Sequence, residues 1–269
     1  IAGFGLMLYP NLQMVLSRFN ETVAVSQYEE GALRYNAEEK AEEFRKAEEY
    51  NKSISGQDVQ DPFLPGSGAV LPDNYEEILN VDMGMIGTLE IPCIDVVLPV
   101  YHGVSEEVLR KGVGHIQETA FPIGGEGTHA VLSTHRGLPE ARLFTDLDKV
   151  EIGDMFYIRI FDEVLAYETD EIQVISPSDL SQLKPEMGKD YVTLLTCTPY
   201  GINSHRLLVR GERREYVPEV KEEIQARTVH TERYMLAGIT VLILVVVAMA
   251  GYSTYRRSKK RTGKKTGKN

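Results

Sequence analysis

The sequence predicts a mostly-β domain, a closed or nearly closed barrel of seven or eight strands with short helices. A helical extension precedes it and a transmembrane helix follows it. Three observations carry this reading. From Met85 onward, short runs rich in Val, Ile, Leu, Thr and Tyr are separated by Gly, Pro and Asp clusters. Before them lies an Ala-, Glu- and Lys-rich stretch with helical texture. After them come 22 residues without a charge, 234–255. With 269 residues, there is room for one large domain plus appendages.

Taken in order, "IAGFGLMLYP" (residues 1–10) reads as the end of a truncated apolar anchor or signal, too short to span a bilayer. Residues 11–56 form the helical extension. Ser26 with Glu29 resembles a capping box, and Leu33, Ala37, Ala41, Phe44 and Ala47 make a thin apolar stripe. One or two helices here are expected to pack loosely on a larger body. Residues 57–75 are a turn-rich loop and linker containing "QDPFLPG". The barrel occupies 76–218. Its strand candidates are "MIGTLEIP", "CIDVVLPVY", "HAVLSTH", "DMFYIRIF", "VLAYETDEIQVI", "DYVTLLTC" and "HRLLVRGERREYV". Spacing alone leaves a β-sandwich as the main rival. "SEEVLRKGVG" and "SPSDLSQLKP" read as short helices with serine N-caps.

Residues 219–233 are juxtamembrane. At ~1.5 Å per residue, 234–255 is long enough for the ~30 Å hydrocarbon core of a bilayer. The tail, 256–269, holds eight Lys or Arg and no acid, so the rest of the chain carries more than the whole net charge of −11. A basic tail beside a membrane span marks the cytoplasmic side and puts the barrel outside the cell. The acidic remainder gives little reason to expect nucleic-acid binding. No EF-hand-like spacing occurs, so neither a metal nor another cofactor is expected; the glutamate runs read as solvated helix faces.

Chemistry gathers at the strand ends. Cys197 closes the run "YVTLLTC", and Thr-Pro-Tyr-Gly breaks the strand at once. Arg206 opens the next run nine residues on. If the two runs pair as antiparallel neighbours, Arg206 returns close to Cys197, where its fixed charge stabilises a thiolate or an oxyanion. A nucleophilic thiol also wants an acid/base partner. Of six histidines His135, in "VLSTHRGLP", is the best placed, at a strand end before a Gly-Pro loop. His102 and His115 also lie near turns. His205 alternates away from Arg206. An extracellular Cys93–Cys197 disulfide remains open on sequence grounds alone.

"TLLTCTPYGINSHRLLVRG" resembles the signature of the sortases, Gram-positive cysteine transpeptidases, with a TLxTC strand end followed by an arginine nine residues later. "GVGHIQETAFPIGGEGTHAVLSTHRG" is similar to the region carrying their histidine. The resemblance spans residue 87 to about 215. The helical extension, proline-bounded aromatic loop, barrel, C-terminal span and basic tail together are similar to class C, the pilin-polymerising sortases.

The resemblance implies a closed eight-stranded sortase barrel with Cys197 as nucleophile, His135 as general acid/base and Arg206 as oxyanion and substrate clamp. It implies Asp61, Pro62 and Phe63 as a lid over the site. The implied reaction cleaves an LPXTG-like signal between Thr and Gly and passes the thioester to a pilin lysine. Pilin subunits are the implied partners, with membrane lipid around the C-terminal helix. Two free thiols follow, since a disulfide would consume the nucleophile, and Cys93 is expected to pack on a barrel strand. The rival functions are a housekeeping sortase that anchors surface proteins to cell-wall peptide, a cysteine endopeptidase using water, and a non-enzymatic adhesin or scaffold.

Overall fold

Eight strands rich in β-branched and aromatic residues close on themselves in the order β1-β2-β3-β4-β7-β8-β6-β5. The computed structural model describes residues 2–54, 59–63 and 74–218, with backbone alone for 2–12. All of these belong to one compact unit, Ile1–Pro218. The expected membrane helix 234–255 and the basic tail lie outside the described residues. Among the described residues no helix is long and apolar enough to cross a membrane.

The strands are β1 (Met85–Ile91), β2 (Val96–His102), β3 (Val113–His115), β4 (Thr128–Ser133), β5 (Met155–Ile160), β6 (Glu163–Ile175), β7 (Asp190–Thr198) and β8 (His205–Arg214). Seven match the runs read from sequence. The eighth, β3, is three residues long, within "GVGH". It pairs parallel to β2 and antiparallel to β4, bridging two strands too far apart in sequence to form a hairpin. Closure falls between β1 and β5. There a Cβ on Gly87 would lie 2.4 Å from the Arg159 carbonyl oxygen, so only glycine lets the two backbones approach.

Among the described residues three α-helices flank the barrel: α1 (Ala2–Ala32), α2 (Ala37–Ser53) and α3 (Glu106–Lys111). The expected start at Ser26 is not a helix end. α1 runs through it, and the Ser26 hydroxyl donates back to the Thr22 carbonyl at 3.0 Å. The expected boundary at residue 10 likewise falls inside α1. The capping box sits at Asn36 instead. Its side chain accepts from the Glu38 and Glu39 amides, while Glu39 accepts from the Asn36 amide at 2.8 Å. α3 has its serine cap as expected, from Ser105. "SPSDLSQLKP" makes only a single 3-10 turn, Ser181–Leu183. Leu180 and Leu183 turn inward onto the barrel there, and Pro185 follows too soon for further turns.

The helices are not loosely attached. Leu33 of the expected stripe is 77% exposed, and Ala37 and Ala41 also face water. The buried apolar side chains there are Tyr28, Ala32, Ala47, Tyr50 and Ile54, all in the main core with the barrel. Tyr28 is wholly buried; its hydroxyl donates to the Ile86 carbonyl and accepts from the Phe161 amide. The Tyr50 hydroxyl donates to the Gln117 carbonyl. Tyrosine suits this task, because its ring fills apolar space while its hydroxyl satisfies strand-end backbone groups.

Two interior histidines make the fold sensitive to acid. His115 stacks on Phe121 and lies between the Tyr75 hydroxyl and the Ala120 carbonyl, each 2.8 Å from a ring nitrogen. Burial lowers its pKa from 6.5 to about 3. His129, against Thr193 and the Lys184 carbonyl, is lowered to about 4, again chiefly by burial. Both fold neutral, while an unfolded chain protonates them near 6.5. Stability is therefore complete above that pH and is lost as pH falls towards 3. At pH 5 each costs up to ~2 kcal/mol. Thermal unfolding should show a midpoint several degrees lower at pH 5 than at pH 7.5, and His115→Phe should flatten part of the drop. A midpoint independent of pH over this range would contradict neutral burial.

Candidate active site

Three adjacent strands carry the site. β7 and β8 pair antiparallel with Cys197 directly opposite Arg206. β4 pairs parallel to β7, ending at Ser133 opposite Leu195. The ladder is prolonged by the Thr196 hydroxyl, which donates to the Thr134 carbonyl at 2.8 Å. Continued for two more residues, this register would set His135 abreast of Cys197. Sequence placed each residue at a strand end; strand order makes those ends neighbours.

Alternation puts these side chains on the right face. Leu132, Leu194 and Val209 enter the main core, while Val131, Leu195 and Leu208 enter a second, smaller cluster on the opposite face. Cys197 is two residues beyond Leu195 and Arg206 two before Leu208, so both share that second face. His205 is exposed, as alternation requires.

The segment Asp61-Pro62-Phe63 lies across this face. Asp61 and Arg206 form a bidentate ion pair, with Nε to Oδ1 at 2.9 Å and Nη2 to Oδ2 at 2.7 Å. Their side chains are only 1% and 5% exposed. The Arg206 fork also donates from Nη1 to the carbonyls of Asn203 and His205. Pro62 is buried. The Phe63 ring rests 5.6 Å from the His135 ring and 5.1 Å from the Arg206 guanidinium carbon, centroid to centroid and carbon to centroid respectively. It also packs on the second cluster. Phe63 therefore covers the histidine and the arginine together.

Cys197 is 7% exposed. Burial pushes its thiol up to about 11; Arg206 pulls it down and Asp61 pushes it up. Cys93 is free, as is Cys197. It does not pack on a strand as expected. It occupies the 3-10 turn Pro92–Ile94 between β1 and β2 and is exposed, because Pro92 ends β1 and turns the next side chain outward. Partial burial of its sulfur and then Asp154 raise its thiol to about 12.

The remaining histidine candidates are structural. His115 is interior, and His102 is held between the Gly84 and Ile78 carbonyls. Two residues beside the site were not singled out in the sequence. Glu106, at the start of α3, accepts from His135 Nε2 at 3.1 Å. Arg136 bonds the Thr145 carbonyl, the Thr198 hydroxyl and Asp148, tying the histidine loop to the strand end that bears Cys197. Glu106 reads in sequence as an ordinary first-turn acid, and Arg136 as a loop cation; only strand order reveals their neighbours.

A shielded thiol opposite an arginine, with a histidine at the neighbouring strand end of an eight-stranded barrel, is suited to cysteine-dependent acyl transfer. A sortase-domain family model matches residues 89–214. Streptococcus agalactiae sortase C1, solved in complex with MTSET, is 46% identical with a TM-score of 0.66, over 72% of this chain and 95% of that one. Streptococcus pneumoniae sortase C is 42% identical with a TM-score of 0.66, over 72% of this chain and 97% of that one. Among curated proteins, sortase SrtE1 of Streptomyces coelicolor is 35% identical over 147 residues, which is 49% of this chain and 41% of that protein. The chain thus spans less than half the length of that relative. It belongs to the sortase family.

The cover formed by residues 61–63 predicts a slow thiol. In a Cys93→Ser background, alkylation of Cys197 by iodoacetamide should rise with pH until about 11. Asp61→Ala with Phe63→Ala removes both the cover and the carboxylate, which lowers the thiol pKa. The rate at pH 7.5 should then rise on the order of tenfold to hundredfold. An unchanged rate would reduce residues 61–63 to a spacer.

Proposed function

We propose that this protein is a membrane-anchored class C sortase that polymerises pilin subunits. Cys197 gives its thiol proton to His135 and attacks the threonine carbonyl of an LPXTG-like sorting signal. The Thr-Gly bond breaks, His135 protonates the departing glycine amine, and a thioester forms on Cys197. The amine of a lysine side chain on another pilin subunit then attacks the thioester carbonyl. His135 takes up the amine proton, Cys197 leaves as thiolate, and an isopeptide bond results. Arg206 stabilises the oxyanion in both steps, worth roughly 3–4 kcal/mol of barrier as for other oxyanion-hole donors. Asp61 and Phe63 form the lid that opens before substrate enters.

The observation that carries this reading is the convergence of Cys197, Arg206 and the lid on one strand pair, Cys197 opposite Arg206 and Arg206 bound to Asp61. The likeness to solved sortases C at 42–46% identity supports pilin polymerisation over wall anchoring. The C-terminal apolar stretch and basic tail support a barrel outside the cell, held at the membrane.

Incubation with a pilin carrying the sorting signal should give ladders whose subunits are joined by an isopeptide bond, identified by mass spectrometry. Cys197→Ala should abolish them. Arg206→Ala should lower kcat by about a hundredfold to a thousandfold. Release of the cleaved peptide to water without ladders would favour an endopeptidase, and ladders formed by Cys197→Ala would sink the mechanism.

A further inference from the structure

The proposed mechanism leaves one contact of His135 unused. Its Nε2 lies 3.1 Å from Glu106 Oε2. A carboxylate only accepts, so Nε2 must carry the proton of that bond. No hydrogen bond occupies Nδ1 among the described residues. We infer that Glu106 is a positioning residue for the acid/base step: it fixes the His135 ring and its Nε2–H tautomer, leaving Nδ1 to exchange protons with the thiol and the reacting amine. This rests on the acyl-transfer reading above.

The surroundings hold Glu106 to that task. It is the first residue of α3, whose N-terminus is capped by Ser105 accepting from the Val108 amide. Its other oxygen, Oε1, accepts from Arg110 Nε at 2.8 Å. Arg110 in turn reaches Glu140 at 2.9 Å, on the loop that follows His135. The chain His135–Glu106–Arg110–Glu140 thus leaves the histidine loop and returns to it. Arg136, next to His135, anchors the same loop to Thr145, Asp148 and Thr198. The Asp61–Arg206 pair beneath Phe63 is self-neutralised, and the Arg136 charge is taken up by Asp148. Glu106 is the one acid bonded to the imidazole among the described residues. A ring bonded at one nitrogen and packed on one face by Phe63 has little freedom left to flip.

The chemistry needs this. In a neutral imidazole one nitrogen donates and the other accepts, and a ring in the wrong tautomer presents the wrong group to the reacting atoms. A carboxylate at one nitrogen both selects the tautomer and stabilises the imidazolium formed when the other takes a proton.

Two readouts test the inference, one of them independent of activity. The ring nitrogens of His135, observed by nitrogen-15 NMR of the neutral imidazole, should report the Nε2–H tautomer in the unaltered protein. Glu106→Ala should shift the population towards the other tautomer, and Glu106→Gln, whose amide oxygen still accepts, should largely restore it. In the ladder assay Glu106→Ala should lower kcat roughly tenfold with KM unchanged, the scale of one partly exposed charge-assisted hydrogen bond. Glu106→Gln should recover part of that loss. An unchanged tautomer population in Glu106→Ala would overturn the inference, as would a full kcat. Cys197→Ala in the same assay keeps the two failures apart. If it stays active, the acyl-transfer reading falls; if it is dead while Glu106→Ala runs at full rate, only the role of Glu106 falls.

Discussion

The register of β4, β7 and β8 is the constraint on which the rest depends. Strand faces alternate with a period of two, so a slip of one residue between β7 and β8 would set His205 opposite Cys197 and turn Arg206 to the other face. The register is fixed by two apolar sets at once. Leu194 and Val209 require the main core while Leu195 and Leu208 require the second cluster, so neither face tolerates the exchange. β4 adds a parallel partner, which cannot come from a hairpin; the long β4–β7 crossover supplies it. Side chains from two remote stretches of chain, β4 and the β7–β8 pair, meet because apolar pairing leaves their strand ends no other place. The helical extension braces the same barrel through Tyr28 and Tyr50, each capping strand-end backbone groups from within the core.

Asp61 and the chemistry compete for one guanidinium. With both oxygens engaged by Arg206, the pair is buried and self-satisfied, and removing one partner alone would leave a buried charge at a cost of ~3–5 kcal/mol. In the proposed mechanism lid opening differs, because it would return Asp61 to water and give Arg206 to the substrate oxyanion. The closed arrangement is also chemically quiet. The thiol, shielded and facing Asp61 as well as Arg206, is held near 11, where little thiolate exists at neutral pH. Moving Asp61 away removes one of the two influences that raise it and leaves the one that lowers it. A single displacement thus uncovers the site and favours the nucleophile.

The sequence made the strands legible because each is a short β-branched run bounded by turn residues. It hid β3, whose three residues are too few for any alternation to register. It set a helix start at Ser26 because Ser26 followed by Glu29 imitates a cap, yet a helix interior accepts that serine when its hydroxyl bonds back to Thr22. It misjudged Cys93, since an apolar run interrupted by Pro92 reads as strand until the turn is seen. The site residues were legible as types at strand ends. Their adjacency depended on strand order, which a linear reading supplies only where two runs are consecutive, as β7 and β8 are. Glu106 shows the limit: its partner lies 29 residues away on an element that is not a sequence neighbour.

The cover has a further physical consequence for the proposed transfer. A thioester can be consumed by water or by an amine, and water is everywhere in excess. Selectivity for the amine therefore requires a dry surface around Cys197 and an acceptor that arrives already oriented. The apolar cluster of Ile116, Val131, Leu195 and Leu208, with Phe63 above it, supplies such a surface beside the thiol. Phe63 bears on His135 and Arg206 at once, so in the proposed mechanism its displacement would reach the acid/base and the oxyanion donor together. A bound sorting signal would replace the lid on the same apolar floor. The site would then pass from one covered state to another without leaving the thioester open to solvent.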